Sequence, residues 1–397
     1  MMFEKFLKIK PVLILVFIPL LFTLAFGYVM SPIFVEHVPF AVYDMDMSEN
    51  SRQIVESFRD CPAFEIREDI SSYEEMEDLL IDGKIGGALI LPEGFGEDLS
   101  AKRGAEATVL VDGSNFLVCS NVQLNSTTIL LMANANVQMK YLESGEMVPY
   151  EAEQNVYTMN LADRRLYNPQ TCYLYYLFAG LFGIFVQQTI LATVPGVLID
   201  EKHRIAESGA AISSIRSVFP HFSKDTARTI LSYALLSVIG LLGSVLLLHG
   251  VFAYPMNGNI LYVLLLQAIF LCCMFGVSLI VATIFDEKLH ASQFTMFLSI
   301  PTMLCCGYGW PEYMMPAGFA PVMKAIWPLY YFYNPLKDLM LKGAGLDSIG
   351  HYVIGGICFA LVWVPVGIFL FARKTQRLAE YDKESGTAYS TAGGEEF

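Results

Sequence analysis

Six runs of apolar residues, at 11–30, 172–199, 229–251, 260–285, 291–308 and 350–372, divide this sequence and set most of what it can become. A helix rises 1.5 Å per residue, so about 20 apolar residues cover the ~30 Å hydrocarbon core of a bilayer. The fold class that follows is a multi-pass α-helical membrane protein with six transmembrane helices. Charged residues are 16% of the chain, against about 25% in soluble globular proteins, and they gather between the runs. Lys5, Lys8 and Lys10 precede the first run, as they would in a secretory signal peptide. Its apolar stretch is long and no clear small-x-small cleavage site follows, so it is read as a retained anchor.

The long gap after the first run, 31–171, holds 24 acidic and 9 basic residues, a net −15 within a chain of −14. A basic surface for nucleic acid is absent. The segment reads as a folded α/β domain. Strands are expected at 38–42, 64–66, 85–91 and 107–111, the last ending in the turn Asp112-Gly113-Ser114-Asn115. Helices are expected at 48–58, capped by Ser48, and from Ser72, which forms a capping box with Glu75. A long helix is expected over 116–142. Strands alternating with helices suggest a small mixed or parallel sheet. Cys61 and Cys119 both fall here and would form a disulfide in an oxidising space, or stay as two free thiols.

Orientation follows from basic residues near the span ends. Lys5, Lys8 and Lys10, then Lys202, Arg204, Arg216, Lys224 and Arg228, then Arg373, Lys374 and Arg377 mark three inner segments. Both termini are expected in the cytoplasm and the acidic domain outside it. The segment 310–341 is apolar but broken by Pro311, Pro316, Pro321, Pro328 and Pro335, and carries Trp310, Trp327, Tyr330, Tyr331 and Tyr333. That suits short re-entrant helices at the outer interface. Lys324, Lys337 and Lys342 would then face outward, against the trend. Residues 381–397 read as a disordered tail.

No G-x-x-x-x-G-K-[ST], H-E-x-x-H or G-x-S-x-G occurs, so the chain carries no P-loop, zinc-protease or hydrolase signature of its own. The clusters Asp200-Glu201-Lys202-His203 and Asp286-Glu287-Lys288 with His290 would either stop helices at the interface or offer metal ligands. In the loop 202–219, Ile205, Ile212, Ile215 and Phe219 are spaced 7, 3 and 4, with Glu201, Arg204, Glu207 and Arg216 as polar contacts. A short amphipathic helix there would dock into a partner's groove or lie in the lipid interface. Inside the membrane the main polar groups are Gln187, Gln188 and Gln267. Carriers coupled to protons or sodium need intramembrane carboxylates or histidines, so a separate energy source is expected. The glutamines would join helices or touch substrate.

Taken in order, these features resemble the ABC-2 type transporter permeases. The resemblance rests on one span, a large outer domain and five more spans. It also rests on Val42-Tyr43-Asp44 with Ser48 and Ser51, the run from Gly83 to Pro92, Val111-Asp112-Gly113-Ser114-Asn115, Arg165-Leu166-Tyr167-Asn168-Pro169, and Ser299-Ile300-Pro301 followed by Trp310-Pro311 and Trp327-Pro328. Where that family often has Gly-Thr-x-Glu after helix two, this chain has Glu201-Lys202-His203-Arg204 and Glu207-Ser208-Gly209. The resemblance implies a permease subunit of an exporter for an amphiphilic or hydrophobic substrate. It would pair with a second copy or paralogue and dock an ABC ATPase that holds the ATP and magnesium. An accessory export protein is a further implied partner. Trp310, Pro311, Pro316, Trp327 and Tyr331 would build the outer gate, and 202–219 the coupling helix. The alternative is a membrane-anchored receptor or assembly factor acting through the outer domain.

Overall fold

The computed structural model describes residues 10–31, 35–101, 103–145, 147–156, 164–169, 172–208 and 214–392, with side chains as far as 381. The chain forms two compact units, Pro32–Leu166 and a second composed of Met1–Ser31 with Tyr167–Phe397. The second unit begins with α1 (Lys10–Val29), whose turns at Leu13–Phe17 widen into a π-helix.

The α/β unit runs β1 (Val38–Asp44), α2 (Glu49–Arg59), β2 (Phe64–Arg67), α3 (Tyr73–Ile81), β3 (Gly87–Leu91), α4 (Phe95–Ala101), β4 (Thr108–Val111), α5 (Phe116–Ser144) and α6 (Pro149–Val156). The strand order is β2-β1-β3-β4, parallel across the first three and antiparallel at β4. The sheet is therefore mixed. Side chains alternate across a strand. Val38, Phe40 and Val42 join one apolar layer with Phe58, Leu89 and Val122, while Ala41 and Ala88 join another with Ile70 and Met76. Parallel crossovers are right-handed, so steps from β1 to β2 and from β2 to β3, taken in opposite directions, put α2 and α3 on opposite faces. The caps at Ser48 and Ser72 are present, but the Glu75 carboxylate accepts from Ser71 N–H at 2.9 Å rather than from Ser72, so the expected capping box is only half formed. Ser48 Oγ accepts from Ser51 N–H at 3.1 Å, and Ser72 Oγ from Glu75 N–H at 3.1 Å. Cys61 and Cys119 are free thiols. Cys61 packs against the first apolar layer, whereas Cys119 lies about 100° around α5 from Val118, which faces that layer.

The helical unit continues with α7 (Tyr173–Leu191), α8 (Val194–Glu207), α9 (Lys224–Phe252), α10 (Ile260–Ile284), α11 (Lys288–Cys305), α12 (Phe319–Ile326), α13 (Tyr330–Lys342) and α14 (Leu346–Ala392). Pro195, in the first turn of α8, has no N–H to continue the ladder of α7, so the second apolar run breaks in two there. Phe182, Phe270, Phe332 and Tyr333 fill the core, with Phe270 stacked on Phe332 at 4.5 Å. On α9, Leu231, Leu235, Ile239 and Leu246 form an exposed apolar face, a disposition suited to lipid rather than water.

By length and composition, six helical stretches among the described residues would cross a membrane: Lys10–Val29, Phe116–Ser144, Tyr173–Glu207, Lys224–Phe252, Ile260–Ile284 and Leu346–Tyr381. Five coincide with spans expected from sequence. The sixth is α5 rather than α11. By contact, α5 belongs to the sheet, because Val118, Val122, Ile129 and Leu130 pack on its first layer. α11 is shorter and more polar. Ala291, Thr295, Ser299 and Thr302 are buried along one of its faces, and Met296, Phe297 and Ile300 are exposed on the other. Small residues inward and large apolar ones outward are how helices pack in lipid.

Two expectations are corrected. Residues 202–219 do not make one amphipathic helix: 202–207 are the last turns of α8, and 215–217 and 219–221 are short 3₁₀ turns. Ser208 caps α8 and Gly209, a weak helix former, follows. Ile212 lies outside the described residues. The tail is also no free coil as far as it is described, since α14 extends to Ala392. Ala372 and Ala379, one helical face apart by 7, are buried against Ile205 and Val218.

Candidate coupling site and proline-broken segment

The end of α8 carries three consecutive tethers. Successive residues on a helix point about 100° apart, so Asp200, Glu201 and Lys202 reach different neighbours. Asp200 Oδ2 lies 2.6 Å from Lys288 Nζ at the start of α11. Glu201 is 2% exposed. It accepts from Ser223 N–H at 2.5 Å and from the Thr226 hydroxyl at 2.7 Å, and Arg204 closes on it at 2.6 and 2.9 Å. Ser223 caps α9, so a carboxylate sits at the positive end of that helix. Lys202, fully buried, donates to the carbonyls of Ala282 at 2.7 Å and Phe285 at 2.8 Å and to Asp286 Oδ1 at 2.7 Å. Those carbonyls are the unpaired acceptors at the end of α10, where the dipole favours a cation.

Asp286 in turn holds Lys374 of α14 at 3.1 Å. Partial burial would raise the Asp286 carboxyl, but the hydrogen bonds from Lys202 and Lys374 outweigh it and hold the pKa below the ordinary carboxylate value. A depressed carboxylate contributes stability that is complete above the unfolded value and fades as pH falls through the folded one. Wild-type protein is therefore expected to lose stability on acidification toward and below pH ~4, and Asp286→Asn to lose less over the same range. Thermal midpoints of both in one detergent, measured from pH 7 down to about 3, check this.

The charged clusters offered as metal ligands are thus brought together as ion pairs, with cations between the carboxylates. Among the described residues no group of three or more His, Cys, Asp or Glu could hold a metal. Of the expected coupling residues, Glu201 and Ile205 are buried, and Ile215 packs on the cluster around Ile205 and Val218. Arg204 also donates to the His221 carbonyl at 2.6 Å. Glu207, Arg216 and Phe219 remain exposed. Lys202 was missed from sequence, because its position among five charged or basic residues suggests solvent.

Gln187 and Gln267 are both fully buried and bridge helices rather than facing an open path. Gln267 donates to Ser237 at 3.1 Å, joining α10 to α9. Gln187 accepts from the Trp327 indole N–H at 2.8 Å and lies 3.5 Å from Thr302 Oγ1, joining α7, α11 and the segment before α13. Gln188 is half-buried, and its side-chain carbonyl has no partner among the described residues. Trp327→Phe is expected to cost about 1–2 kcal/mol by leaving the Gln187 carbonyl unpaired, read as a lowered thermal midpoint that Gln187→Met does not lower further.

The broken stretch 310–341 forms a 3₁₀ turn at Glu312–Met314, then α12 and α13. Trp310 is half-exposed and donates to Met314 O at 3.3 Å, Pro311 precedes the turn, and Pro316 is exposed. Tyr331 donates to Lys324 O at 3.1 Å and Trp363 of α14 to Ala325 O at 2.6 Å, so two aromatic donors satisfy carbonyls at the end of α12. Lys324 pairs with Glu312 at 2.7 Å and Lys342 with Asp338 at 2.7 Å, while Lys337 lies over the Tyr308 ring at 5.2 Å. The three lysines that ran against the charge trend are thus matched locally.

Comparison with known proteins fits this arrangement. The ABC-2 family transporter protein profile matches residues 10–369. A curated relative from Escherichia coli K12, "Inner membrane transport permease YhhJ", is 24% identical over 333 residues, covering 81% of this chain and 83% of its own. "Probable multidrug ABC transporter permease YbhS" of the same strain is 23% identical over 74% of each chain. "ABC transporter G family member 20" of Dictyostelium discoideum is 26% identical over 54% of this chain, and the match spans only 28% of that longer protein. With its apolar helices and a profile match from the first span almost to the end of the last, this multi-pass membrane chain belongs to the ABC-2 family of transporter proteins.

Proposed function

We propose that the chain is the permease subunit of an ATP-driven exporter in the cytoplasmic membrane. In this reading it moves an amphiphilic or hydrophobic substrate outward, with ATP and magnesium on a separate ATPase subunit. Both termini and the end of α8 face the cytoplasm, the α/β unit faces outward, and a second copy or paralogue completes the pathway. An accessory export protein at the α/β unit is part of the same reading. The observation that carries it is the tether set on α8. One short segment holds the ends of α9, α10 and α11 and, through Asp286, α14. A partner that displaces this segment moves four helices together, which is the rigid-body motion that alternating access needs. The energy source lies elsewhere, since the sequence has no P-loop.

The docking surface in this reading is Glu207, Arg216 and Phe219, the exposed residues beside the tethers. Phe219 is 50% exposed, so Phe219→Asp leaves the core untouched and is expected to weaken binding of the ATPase roughly tenfold or more, as loss of an aromatic anchor does. Co-purification in mild detergent of a P-loop ATPase subunit with this chain, expressed in its own host, tests it. Undiminished recovery with Phe219→Asp, at unchanged thermal stability, would remove this surface from the account.

Opening of the outer segment is assigned to Trp310, Pro311, Pro316, Trp327 and Tyr331. The bonds that Trp327 and Tyr331 make are single and reach across separate elements, so each breaks without unfolding a helix.

A further inference from the structure

Within the α/β unit, α2, α4 and α5 enclose a pocket of about 420 Å3. Pockets that take small-molecule ligands measure about 300–1,000 Å3. Ile54, Phe95 and Leu130 form an apolar floor, and Ala105, Ala107 and Ala133 line it where larger side chains would have filled the space. The sequence thus keeps the volume open at three positions, two in the loop before β4 and one on α5. Two of the three walls, α2 and α4, follow the carboxyl ends of β1 and β3, the edge at which open α/β sheets take ligands.

The rim is polar in a specific way. Gln53, Asn134 and Asn136 bring neutral amides, and Lys140 with Glu143 bring one charge of each sign. Lys140 Nζ lies 3.4 Å from Gln53 Oε1, and no carboxylate is within ion-pair distance of it among the described residues. The opposite charges cancel at the mouth, and the unit around them is strongly acidic, which disfavours an anion. The amides both donate and accept, which suits a hydroxyl or carbonyl.

We infer that this pocket binds one uncharged amphiphile, its apolar body over Ile54, Phe95 and Leu130 and a hydroxyl or carbonyl head among Gln53, Asn136 and Lys140. The site is separate from the helical unit, and the inference holds whichever way substrate crosses that unit.

The test uses the full chain in native membranes and a long-chain alcohol bearing a photoreactive diazirine, with adducts mapped by mass spectrometry. Saturable labelling of α2 and α5 peptides, competed by unlabelled alcohol, is expected. Ala133→Trp should reduce it roughly tenfold, equivalent to about 1.4 kcal/mol of binding. Asn136→Trp blocks the exposed rim without entering the core, and should give the same loss where Ala133→Trp does not fold. The matching carboxylic acid probe should label these peptides more weakly than the alcohol. Labelling that does not saturate, or that survives in a folded variant with the pocket filled, would overturn the site. Preference for the acid would overturn the assignment of an uncharged ligand.

Discussion

Lys202→Met should lower the stability of the helical unit by about 2–4 kcal/mol, one of the two largest losses expected from a single substitution. The methionine matches the lysine stem in volume but leaves the Ala282 and Phe285 carbonyls without the donor that the fully buried Lys202 supplies. Asp286 keeps Lys374 and is about half-exposed, so its part of the loss is small, which places the total below the upper range for a fully buried pair. A double-mutant cycle separates the parts. Asp286→Asn alone should cost clearly less than Lys202→Met, and adding it to Lys202→Met should cost little more. Equal effects of the two single changes would mean that the ion pair, rather than the helix-end carbonyls, sets the value of Lys202.

Gly240→Ala is expected to cost about 2–3 kcal/mol, as overpacking does in a tight interface. A methyl on Gly240 would lie 2.2 Å from the Leu15 carbonyl oxygen. That oxygen is backbone, in the π-helical part of α1, and it can move only if α1 moves. Gly243→Ala is the control. Its methyl would meet the end of the Leu20 side chain at 3.0 Å, which can turn aside. Alanine is intrinsically the better helix former by up to about 1 kcal/mol, so Gly243→Ala should be near neutral. Thermal midpoints of the two variants in one detergent compare them directly. If they behave alike, close backbone approach does not hold α1 against α9.

Much of this architecture could be read locally. Strand and helix periods in the α/β unit are carried by neighbours in sequence, and the caps at Ser48 and Ser72 need only the residues three further on. The apolar runs likewise announce themselves. What could not be read depends on distant partners. Glu201 and Lys202 look like solvated charges ending a helix until the ends of α9 and α10 are placed beside them. The stretch 202–219 has an apolar period, but Ile205 and Ile215 spend their apolar surface on Ala372 and Ala379, leaving no single docking face. The same contact makes the region after 372 helical, although its composition suggests coil. α5 and α11 exchanged places as candidate spans because composition alone does not register that one helix has a sheet beneath it.

The most direct test of the account is ATP-dependent uptake of an amphiphilic fluorescent dye into inverted membrane vesicles that contain this chain and the ATPase subunit that co-purifies with it. Uptake that requires both chains and ATP, and that falls at least about tenfold in Phe219→Asp, is the predicted result. Uptake that continues without ATP, or in vesicles with the ATPase removed, would contradict a permease driven through the end of α8.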